Sequence, residues 1–474
     1  MNNAKPARSR RMWLAFVLIA SGLIASLSPT DAQNVSSGAS IGPSQELSQP
    51  PAELSDAASS VETLLGDWGG VRTYLHKYGI EVLLDVTSEF AGNVKGGVDK
   101  VSTFANQVGF EADINWQKLA GIYGLSTHVV IVNRSGSNAS TGFGDLIIPV
   151  QEIYGAGGDV LLHLVYAFAE ENLLNGRLNI TAGRFPTSID FAASPIYCNF
   201  MNNDLCGNPK ALPGNIGFSS YPDNVWAGRV RVWPTLTTYV QVGAFEVNRK
   251  IYTYPRFRSG FNWGTDGGSG AYLPIEAAWE PRFGPDHLPG HYKVGFGYDT
   301  SNYADVFADA SGNAAALTGR PFRSDHGRSQ VWALFDQMLL RQGKGDLDGI
   351  TLFGGAMHNE TQNSIYAEEY FLGLLDGGFW KARAQDTIGL LFGYNTVSGR
   401  LGKAQALDLE LGLPIAGTVV PGIQTHEMIL EANYDIHVYR GVNFQPEFQY
   451  VFRPNAQGNI KDAAVLGFKA HVEF

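Results

Sequence analysis

Residues 426–474 read HEMILEANYDIHVYRGVNFQPEFQYVFRPNAQGNIKDAAVLGFKAHVEF, and three segments of this stretch alternate between apolar and polar side chains. Because successive side chains of a β-strand point to opposite faces, each segment has one apolar face and one polar face. The apolar set comprises Met428, Leu430, Ala432, Tyr434, Ile436 and Val438, then Val442, Phe444, Pro446, Phe448, Tyr450 and Phe452, then Leu466, Phe468, Ala470, Val472 and Phe474. Strands of this length can cross a bilayer when they are tilted, so the stretch predicts the closing strands of a transmembrane β-barrel.

A soluble β-sandwich also alternates, but its strands are usually shorter and its apolar faces carry fewer aromatic residues. The same two-residue period recurs upstream, which brings the expected total to about sixteen strands. The upstream candidates are 80–89, 107–116, 122–133, 160–168, 177–185, 224–233, 237–247, 273–282, 291–300, 328–338, 349–358, 365–374 and 386–396. In 328–338 and 365–374 both faces are apolar in places.

The connections between these candidates alternate in length. Residues 117–121 and 170–176 are short connections, whereas 134–159, 186–223 and 248–272 are long ones. Outer-membrane barrels carry short periplasmic turns and longer extracellular loops. We therefore predict an all-β, antiparallel transmembrane barrel with both ends of the chain on the periplasmic side. The long loops contain aromatic residues and prolines, so we expect some of them to fold inward and narrow the pore.

The start of the chain has the features of an export signal. Residues 1–32 combine a basic n-region, an uncharged apolar run and small residues at a cleavage site, as in a secretory signal peptide. Residues 33–60 are rich in Ser, Pro and Gln and predict a flexible leader. Residues 61–78 place apolar residues at helical spacing and predict a kinked amphipathic segment at the periplasmic mouth, followed by the barrel at 79–474.

Composition agrees with a barrel that has a polar lumen. The 474 residues include 56 glycines, aromatic residues make up 12%, and the formal net charge is −11. Loss of the basic signal peptide would make this charge more negative, which disfavours nucleic acid and favours neutral or cationic solutes over anions. Cys198 and Cys206 lie close together in an exported chain, so we expect a loop disulfide, with two free thiols as the alternative.

Five short motifs stand out: LGDWGGVR at 65–72, which is the most specific, GRF at 183–185, DFA at 190–192, YP at 221–222 and QPEFQY at 445–450. With these motifs the chain resembles the carbohydrate-selective porins of the OprB family. The resemblance covers about residues 61–474 and implies an outer-membrane barrel of a Gram-negative bacterium that passes small sugars by passive diffusion. The turn at 453–455 departs from the Asn-Pro-Gly-Gly that the family tends to have, so no sugar preference is carried over.

A channel that favours sugars needs planar hydrogen-bonding side chains and aromatic surfaces that bind weakly. The strand parity places a set of charged and amide side chains in the lumen. This set comprises Arg184, Arg229, Arg231, Glu81, Asp85, Glu89, Glu111, Asp113, Glu431, Asp435, Glu447 and Gln449. The three arginines are expected either to pair across the lumen and set the field at its narrowest point, or to form ordinary ion pairs between strands. Each carboxylate is alternatively a solvated wall residue.

The motif residues Asp67, Trp68, Gly69 and Gly70 are interpreted as structural, capping or plugging the mouth of the barrel. An outer-membrane hydrolase is a second hypothesis, since Ser324 and Asp325 adjoin His326, and His358 precedes Asn359 and Glu360. Neither group has a glycine elbow or metal-ligand spacing, so we expect no catalytic residue, no metal and no cofactor. The acidic charge would also suit a general diffusion porin with cation preference. A soluble sugar-binding β-protein is a further hypothesis, which the terminal aromatic residue and the alternating connection lengths disfavour.

The expected partners are small sugars in transit and the lipid of the outer membrane. A final strand ending on Phe474 also points to the barrel-assembly machinery as a partner. The outward apolar sets are compatible with a monomer or a homotrimer.

Overall fold

The computed structural model of the protein describes residues 63–154, 159–215, 217–252 and 259–474. The predicted signal peptide (1–32) and leader (33–60) lie outside the described residues. Sixteen strands form the wall: β1 Ile80–Lys95, β2 Ser102–Asn115, β3 Leu125–Gly136, β4 Val160–Leu173, β5 Leu178–Phe185, β6 Val225–Thr235, β7 Thr238–Asn248, β8 Gly268–Trp279, β9 Leu288–Asp309, β10 Phe322–Arg341, β11 Gly349–Asn359, β12 Tyr366–Gly377, β13 Thr387–Val397, β14 His426–Tyr439, β15 Val442–Phe452 and β16 Ala463–Glu473. A further two-residue strand, Arg282–Phe283, pairs with the first residues of β9.

Short helices occupy the connections and the start of the described chain. The α-helices are α1 Val71–Lys77, α2 Trp116–Ala120, α3 Ala139–Phe143, α4 Ala315–Thr318 and α5 Gly399–Leu411, and the 3-10 turns are Trp68–Gly70, Glu152–Tyr154, Thr187–Ile189, Tyr197–Asn199, Arg249–Tyr252, Lys381–Arg383 and Pro454–Ala456. Within the described residues, none of the helices is long and apolar enough to cross a membrane.

The sheet is a closed antiparallel barrel. Each strand pairs with its neighbours in sequence, and β1 closes on β16 in the register Phe90↔Phe468. The predicted class, the count of about sixteen strands and the short N-terminal helical segment are therefore confirmed. Strands β9 and β10 run well beyond the predicted 291–300 and 328–338. The added residues lack a clear alternation of apolar and polar side chains, so the sequence pattern does not mark them as strand.

Burial follows the two-residue period of the sequence. In β15, Phe448 is 37% exposed whereas its neighbours Glu447 and Gln449 are 6% and 0% exposed. The polar set therefore faces the interior, and the apolar set faces outward, as the periodicity of residues 426–474 predicts.

Spin labels on β2 test this sidedness. A nitroxide at Phe110→Cys, whose native ring is 42% exposed on the outer face, is expected to collide with dissolved oxygen in the lipid and to be shielded from a water-soluble nickel complex. A label at Asp113→Cys is expected to show the opposite, because that side chain faces the lumen. Equal accessibility at both positions would contradict the assignment of the two faces.

The connections at one mouth are on the whole shorter than those at the other, which include the four longest. One mouth carries the turns 116–124, 174–177, 236–237, 280–287, 342–348, 378–386 and 440–441, and the other carries 96–101, 137–159, 186–224, 249–267, 310–321, 360–365, 398–425 and 453–462. The first is the periplasmic mouth, since short turns lie on that side of outer-membrane barrels. Helix α5 lies within the extracellular loop 398–425, where the sequence pattern predicts no element.

The connection 186–224, which we call the inserted loop, lies inside the barrel. Its apolar side chains form one buried cluster with inward side chains of the wall, and the loop members include Phe191, Phe200, Leu205, Leu212 and Phe218. The wall members include Trp332, Leu334, Phe353, Phe371 and Leu391. Apolar residues therefore occur on both faces of β10 and β12 because the inner face packs against this loop and the outer face meets lipid.

The residues before β1 fold onto the periplasmic mouth. Asp67 Oδ1 accepts hydrogen bonds from the backbone nitrogen and hydroxyl of Thr73 at 2.7 and 2.9 Å. The Arg72 guanidinium stacks on the Trp68 ring at 4.5 Å and donates to the carbonyl of Phe474 at 2.6 Å. Trp68 of the GDWGG motif thus packs on Arg72, which joins the start of the described chain to the residue directly after β16.

Candidate functional site in the barrel lumen

The base of the inserted loop is fixed by a buried ion cluster. Asp190 Oδ1 lies 3.0 Å from Arg229 Nη2 and 3.4 Å from Arg231 Nη2, and Asp190 Oδ2 accepts from Arg229 Nε at 3.1 Å. All three side chains are at most 1% exposed. Gln241 Nε2 donates to the Asp190 carbonyl at 2.7 Å. The two arginines of β6 therefore hold the loop rather than line open water.

The tip of the inserted loop reaches the opposite wall. The backbone nitrogens of Met201 and Asn202 donate to the two carboxylate oxygens of Glu431 on β14 at 2.8 and 3.0 Å. The Asn202 side chain donates to Gln449 on β15 at 2.7 Å. The loop leaves β5 and is bound by β14 and β15, so it crosses the whole lumen.

Between base and tip, the loop is bound by the intervening strands. Glu276 on β8 accepts from the Ala192 nitrogen at 2.9 Å, and Glu369 on β12 accepts from the Ala211 nitrogen at 2.6 Å. Backbone donors and acceptors of an irregular segment need partners when water is excluded. Polar side chains of the wall supply these partners.

The wall provides space for the loop through glycines that face inward. A Cβ atom at Gly393 of β13 would lie 1.8 Å from Asp204 Oδ2, and one at Gly389 would lie 3.0 Å from the Phe200 ring. Asp204 is fixed in this position by a hydrogen bond from Asn395. The loop therefore approaches β13 more closely than any residue with a side chain would permit.

Cys198 and Cys206 are joined as a disulfide within the inserted loop, with a sulfur–sulfur distance of 2.17 Å. The bridge closes the segment whose tip binds Glu431. Lys469 Nζ on β16 donates to the Cys198 carbonyl at 2.8 Å, which adds a contact to the far wall.

A second extracellular connection, 137–159, covers the lumen beside β1–β3. Glu89 Oε2 accepts from the Ile153 nitrogen at 3.1 Å, and Gln151 donates to the Glu89 carbonyl at 3.1 Å. Arg134 on β3 pairs with Glu152 at 3.3 Å. Glu89 is fully buried in consequence.

The predicted lumen residues on β1 and β2 lie toward the periplasmic mouth, where the interior opens to water. Glu81 and Asp113 are the most accessible, with side chains 46% and 29% exposed. Asp85 is buried 3.5 Å from His471, and Glu111 accepts from the Tyr166 hydroxyl at 3.1 Å.

The predicted residues on β14 and β15 divide between the periplasmic opening and the inserted loop. Asp435 is partly exposed and accepts from Asn443 at 2.8 Å. Glu447 accepts from Gln449 at 2.6 Å, and Gln449 also donates to the Val150 carbonyl at 2.9 Å. Glu431 and Gln449 therefore bind the inserted loop directly, and Glu447 orients the Gln449 amide.

Arg184 is separated from the other two arginines. It pairs in register with Trp226, whose ring is exposed on the outer face of β6. Its guanidinium lies 5.6 and 5.7 Å from the rings of Trp226 and Trp263, and it donates to Asn224 and to the Asn262 carbonyl. The structure therefore places Arg184 under two outer tryptophans instead of with Arg229 and Arg231.

Sequence reasoning missed the loop residues and acids that join the inserted loop to the wall. Asp190, Glu276 and Glu369 were not selected, although each is buried; Asp190 stands in the loop itself, and Glu276 and Glu369 each accept a hydrogen bond from a loop nitrogen. For Asp190 a signal existed, since it stands in the DFA motif that follows GRF. Glu276 is a single acid among apolar residues and Glu369 directly follows Glu368, and the position of the loop explains why both make inward contacts.

Comparisons with known proteins agree on one family. Residues 101–474 match the family model described as the carbohydrate-selective porin, OprB family. The chain is 29% identical over 420 residues to Porin B of Pseudomonas aeruginosa, covering 87% of this chain and 91% of that protein. The high-pH structure of Pseudomonas putida OprB superposes with a TM-score of 0.81 at 30% identity, covering 88% of this chain and all of that one.

Proposed function

Because the chain belongs to the OprB family of carbohydrate-selective porins, we propose that the inserted loop sets the size of its channel and selects small sugars. The protein is a carbohydrate porin of the Gram-negative outer membrane. Within that function, the single observation that supports our proposal is the loop that crosses the lumen from Asp190 to Glu431. A cross-section reduced in this way favours monosaccharides and small disaccharides over larger oligosaccharides.

On the periplasmic side, we propose that solutes contact the polar side chains that remain exposed inside the barrel. Glu81, which pairs with His76, and Asp113, which pairs with His128, keep exposed carboxylate surface in this region. Asp435 and Asn443 lie on the same side of the barrel, on the nearby strands β14 and β15. Carboxylates and amides accept hydrogen bonds from sugar hydroxyls. Binding remains weak because each group also stays hydrated, which permits release.

The family is one of channels, and we propose that the chain has no catalytic activity of its own. We also propose that the outward apolar faces contact lipid, that Phe474 is read by the barrel-assembly machinery, and that the barrel can assemble as a homotrimer. The outward ring of Phe468 stacks on Phe90 at 5.5 Å and packs tilted against Phe444 at 5.3 Å, which supports a surface for lipid or for a neighbouring barrel.

Planar-bilayer conductance tests the transport proposal. Millimolar glucose or maltose is expected to lower the single-channel current of the purified protein, because a bound sugar occupies the narrowed lumen. A polyethylene glycol of similar hydrodynamic size serves as the control and is expected to have less effect at equal concentration. Ohmic conductance unmoved by any sugar would instead indicate a general diffusion porin, whose cation preference would appear in the reversal potential.

A further inference from the structure

An extracellular vestibule lies between the inserted loop and three other connections. Its cavity of about 550 Å³ is lined by residues of connections 137–159, 186–224, 360–365 and 398–425 and by the first residue of β12. Pockets of about 300–1,000 Å³ are typical of sites that bind small molecules. A solute that approaches from outside the cell meets these connections before it reaches the lumen, so the vestibule is placed to bind it first.

Apolar side chains of three different connections line this vestibule. They are Leu146, Ile365 and Leu401, which we call the apolar wall. Leu146 and Ile365 are 44% and 45% exposed, and Leu401 is partly buried. Apolar surface in contact with water is unfavourable, and a ligand that covers it gains the free energy of its burial. The apolar wall is therefore suited to an apolar group of a solute.

Hydrogen bonds between the connections fix two members of the apolar wall. The Leu146 nitrogen donates to Asn455 Oδ1 at 3.1 Å, and the Ile365 nitrogen donates to Asn215 Oδ1 of the inserted loop at 2.9 Å. The Ile365 carbonyl accepts from the nitrogen of Ser398, the residue before α5, at 2.7 Å. These bonds order the wall before a ligand arrives, which lowers the entropy cost of binding.

Helix α5 supplies the third member of the apolar wall. Leu401 lies one turn before Gln405, so both side chains point to the same face of the helix. Gln405 Nε2 donates to Gln424 Oε1 at 2.8 Å, and the Gln424 nitrogen donates to Gln405 Oε1 at 2.9 Å. Because Gln424 also lines the cavity, this pair keeps Leu401 turned toward the vestibule.

Three polar side chains of the lining can bind hydroxyl groups. They are Asn138, Thr141 and Lys210, which we call the donor set. Asn138 Oδ1 accepts from the Ser140 nitrogen at 2.8 Å, which leaves the amide nitrogen as a donor to a solute. Thr141 is exposed, and Lys210 Nζ donates to Asn203 Oδ1 at 2.6 Å, which takes up one of its three hydrogens. Sugar hydroxyls can accept from the remaining donors.

The charges around the vestibule offset one another. Asp145 and Glu427 are buried and hydrogen-bond to each other, so they share one proton. The ammonium of Lys210 faces Asp145, Asp204 and Glu369, which offsets the negative charge that remains. Selection in this vestibule therefore depends on hydrogen bonds and apolar contact, and it suits an uncharged solute.

A plain hexose uses only part of this surface. Hydroxyl groups pressed against apolar side chains lose their hydrogen bonds to water without replacement, which costs free energy. An alkyl or aryl group on the anomeric oxygen meets the same side chains without that loss. We propose that the vestibule is a binding site for small alkyl and aryl glycosides, in which the sugar hydroxyls bind the donor set and the aglycone packs against the apolar wall. This inference rests on the proposed carbohydrate transport and names a substrate class for it.

Block of the single-channel current by solutes on the extracellular side tests the site. Phenyl β-glucoside is expected to halve the current at about one tenth of the concentration that glucose requires, since a hydrophobic pocket discriminates by roughly this factor. Cellobiose has a second hydroxylated ring in place of the phenyl group and serves as the control for size. It is expected to block less well than phenyl β-glucoside at equal concentration.

Substitution of one wall residue tests the location of the site. Leu401→Asn makes that part of the wall polar, so it is expected to bring the half-blocking concentration of phenyl β-glucoside close to that of cellobiose. Leu409→Asn is the matched control, since Leu409 stands on the same helix, is 41% exposed and lies outside the cavity lining. It should keep the wild-type difference. Correct folding of both variants is checked by the shift between heated and unheated protein on a gel.

Photolabelling of the wild-type protein gives a second measurement that needs no variant. A 4-azidophenyl β-glucoside is expected to label residues within 138–149, 365–366 or 401–424, and excess phenyl β-glucoside should prevent the labelling. Labelling confined to outward strand positions would overturn the inference. If no sugar or glycoside lowered the wild-type current, the transport proposal would fail together with the inference. If glucose lowered the current but phenyl β-glucoside blocked no better than cellobiose, or if folded Leu401→Asn kept the wild-type difference, only the glycoside inference would be overturned.

Discussion

An Asp190→Ala variant is expected to show a single-channel conductance several-fold above that of the wild type and to admit oligosaccharides that the native channel excludes. Asp190 is the shared counter-ion of Arg229 and Arg231, and all three are buried. Removal of one partner from a buried ion cluster leaves uncompensated charge and costs on the order of 3–5 kcal/mol. The two guanidinium groups are then expected to move until water solvates them, which displaces the base of the inserted loop from the wall. Conductance and a size series of neutral sugars in liposome swelling measure the result.

Two further variants separate this effect from a general loss of stability. Asp346→Ala breaks the bidentate pair with Arg282, which lies in exposed periplasmic turns, and such a pair contributes only about 0.2–1 kcal/mol. Its conductance should equal that of the wild type. Combining Asp190→Ala with Arg229→Met and Arg231→Met removes the unpaired charges and is expected to restore much of the native sugar exclusion. A native conductance for Asp190→Ala would show that this cluster does not hold the loop.

Gly393→Ala is the second change with a large expected effect, although it adds one carbon atom. The new Cβ would lie 1.8 Å from Asp204 Oδ2, a distance that requires either the loop or strand β13 to move. Overpacking of this kind costs roughly 1–3 kcal/mol. Because Asp204 is bound to Asn395 on the same strand, we expect the loop to shift and the channel current to become larger and noisier.

Gly228→Ala is the matched control for this substitution. Gly228 is also a strand glycine, but it faces outward, and a Cβ there has its nearest neighbour, the Thr181 carbonyl oxygen, at 3.7 Å. The control is therefore expected to leave current, noise and thermal stability unchanged. Identical behaviour of the two variants would argue against close contact between the inserted loop and β13.

The sequence predicted the wall of the barrel because lipid and water impose a two-residue period that can be read directly. The closing strands at 426–474 were placed within a few residues, since aromatic residues mark the outer set there. The alternation of apolar and polar residues is lost where the two faces of a strand have similar surroundings. In β10 and β12 the inner side chains Trp332 and Phe371 pack against the inserted loop, and residues 300–309 of β9 (TSNYADVFAD) carry polar side chains at both parities.

The contacts that position the loop could not be predicted from local patterns. Glu431 binds nitrogen atoms more than two hundred positions away in the chain, and no periodicity records such a partner. The aromatic residues of 186–223 did indicate that a long loop folds inward. Which wall side chains hydrogen bond to the loop depends on the course of the loop through the lumen. Strand parity selected Glu431 and Gln449 as lumen residues, but it did not select Glu276 or Glu369.

Parity also gives a limited view of basic residues near strand ends. Arg229 and Arg231 follow the alternation of β6 and share Asp190. Arg184 pairs in register with the outward Trp226 and has the same parity as the outward Ile180, whereas its neighbour Phe185 is buried inside. Regular alternation therefore places Arg184 on the outer face, and not in the lumen as predicted.

The pairing of β1 with β16 has a consequence for biogenesis. β1 is the first strand of the wall, yet its second neighbour is the last strand, so until these two pair the folding sheet has two open strand edges that could recruit foreign strands. The bond from Arg72 to the Phe474 carbonyl can form only once the ring is complete. The helical segment at 68–77 thus docks late in folding, and its docked state indicates that the barrel has closed.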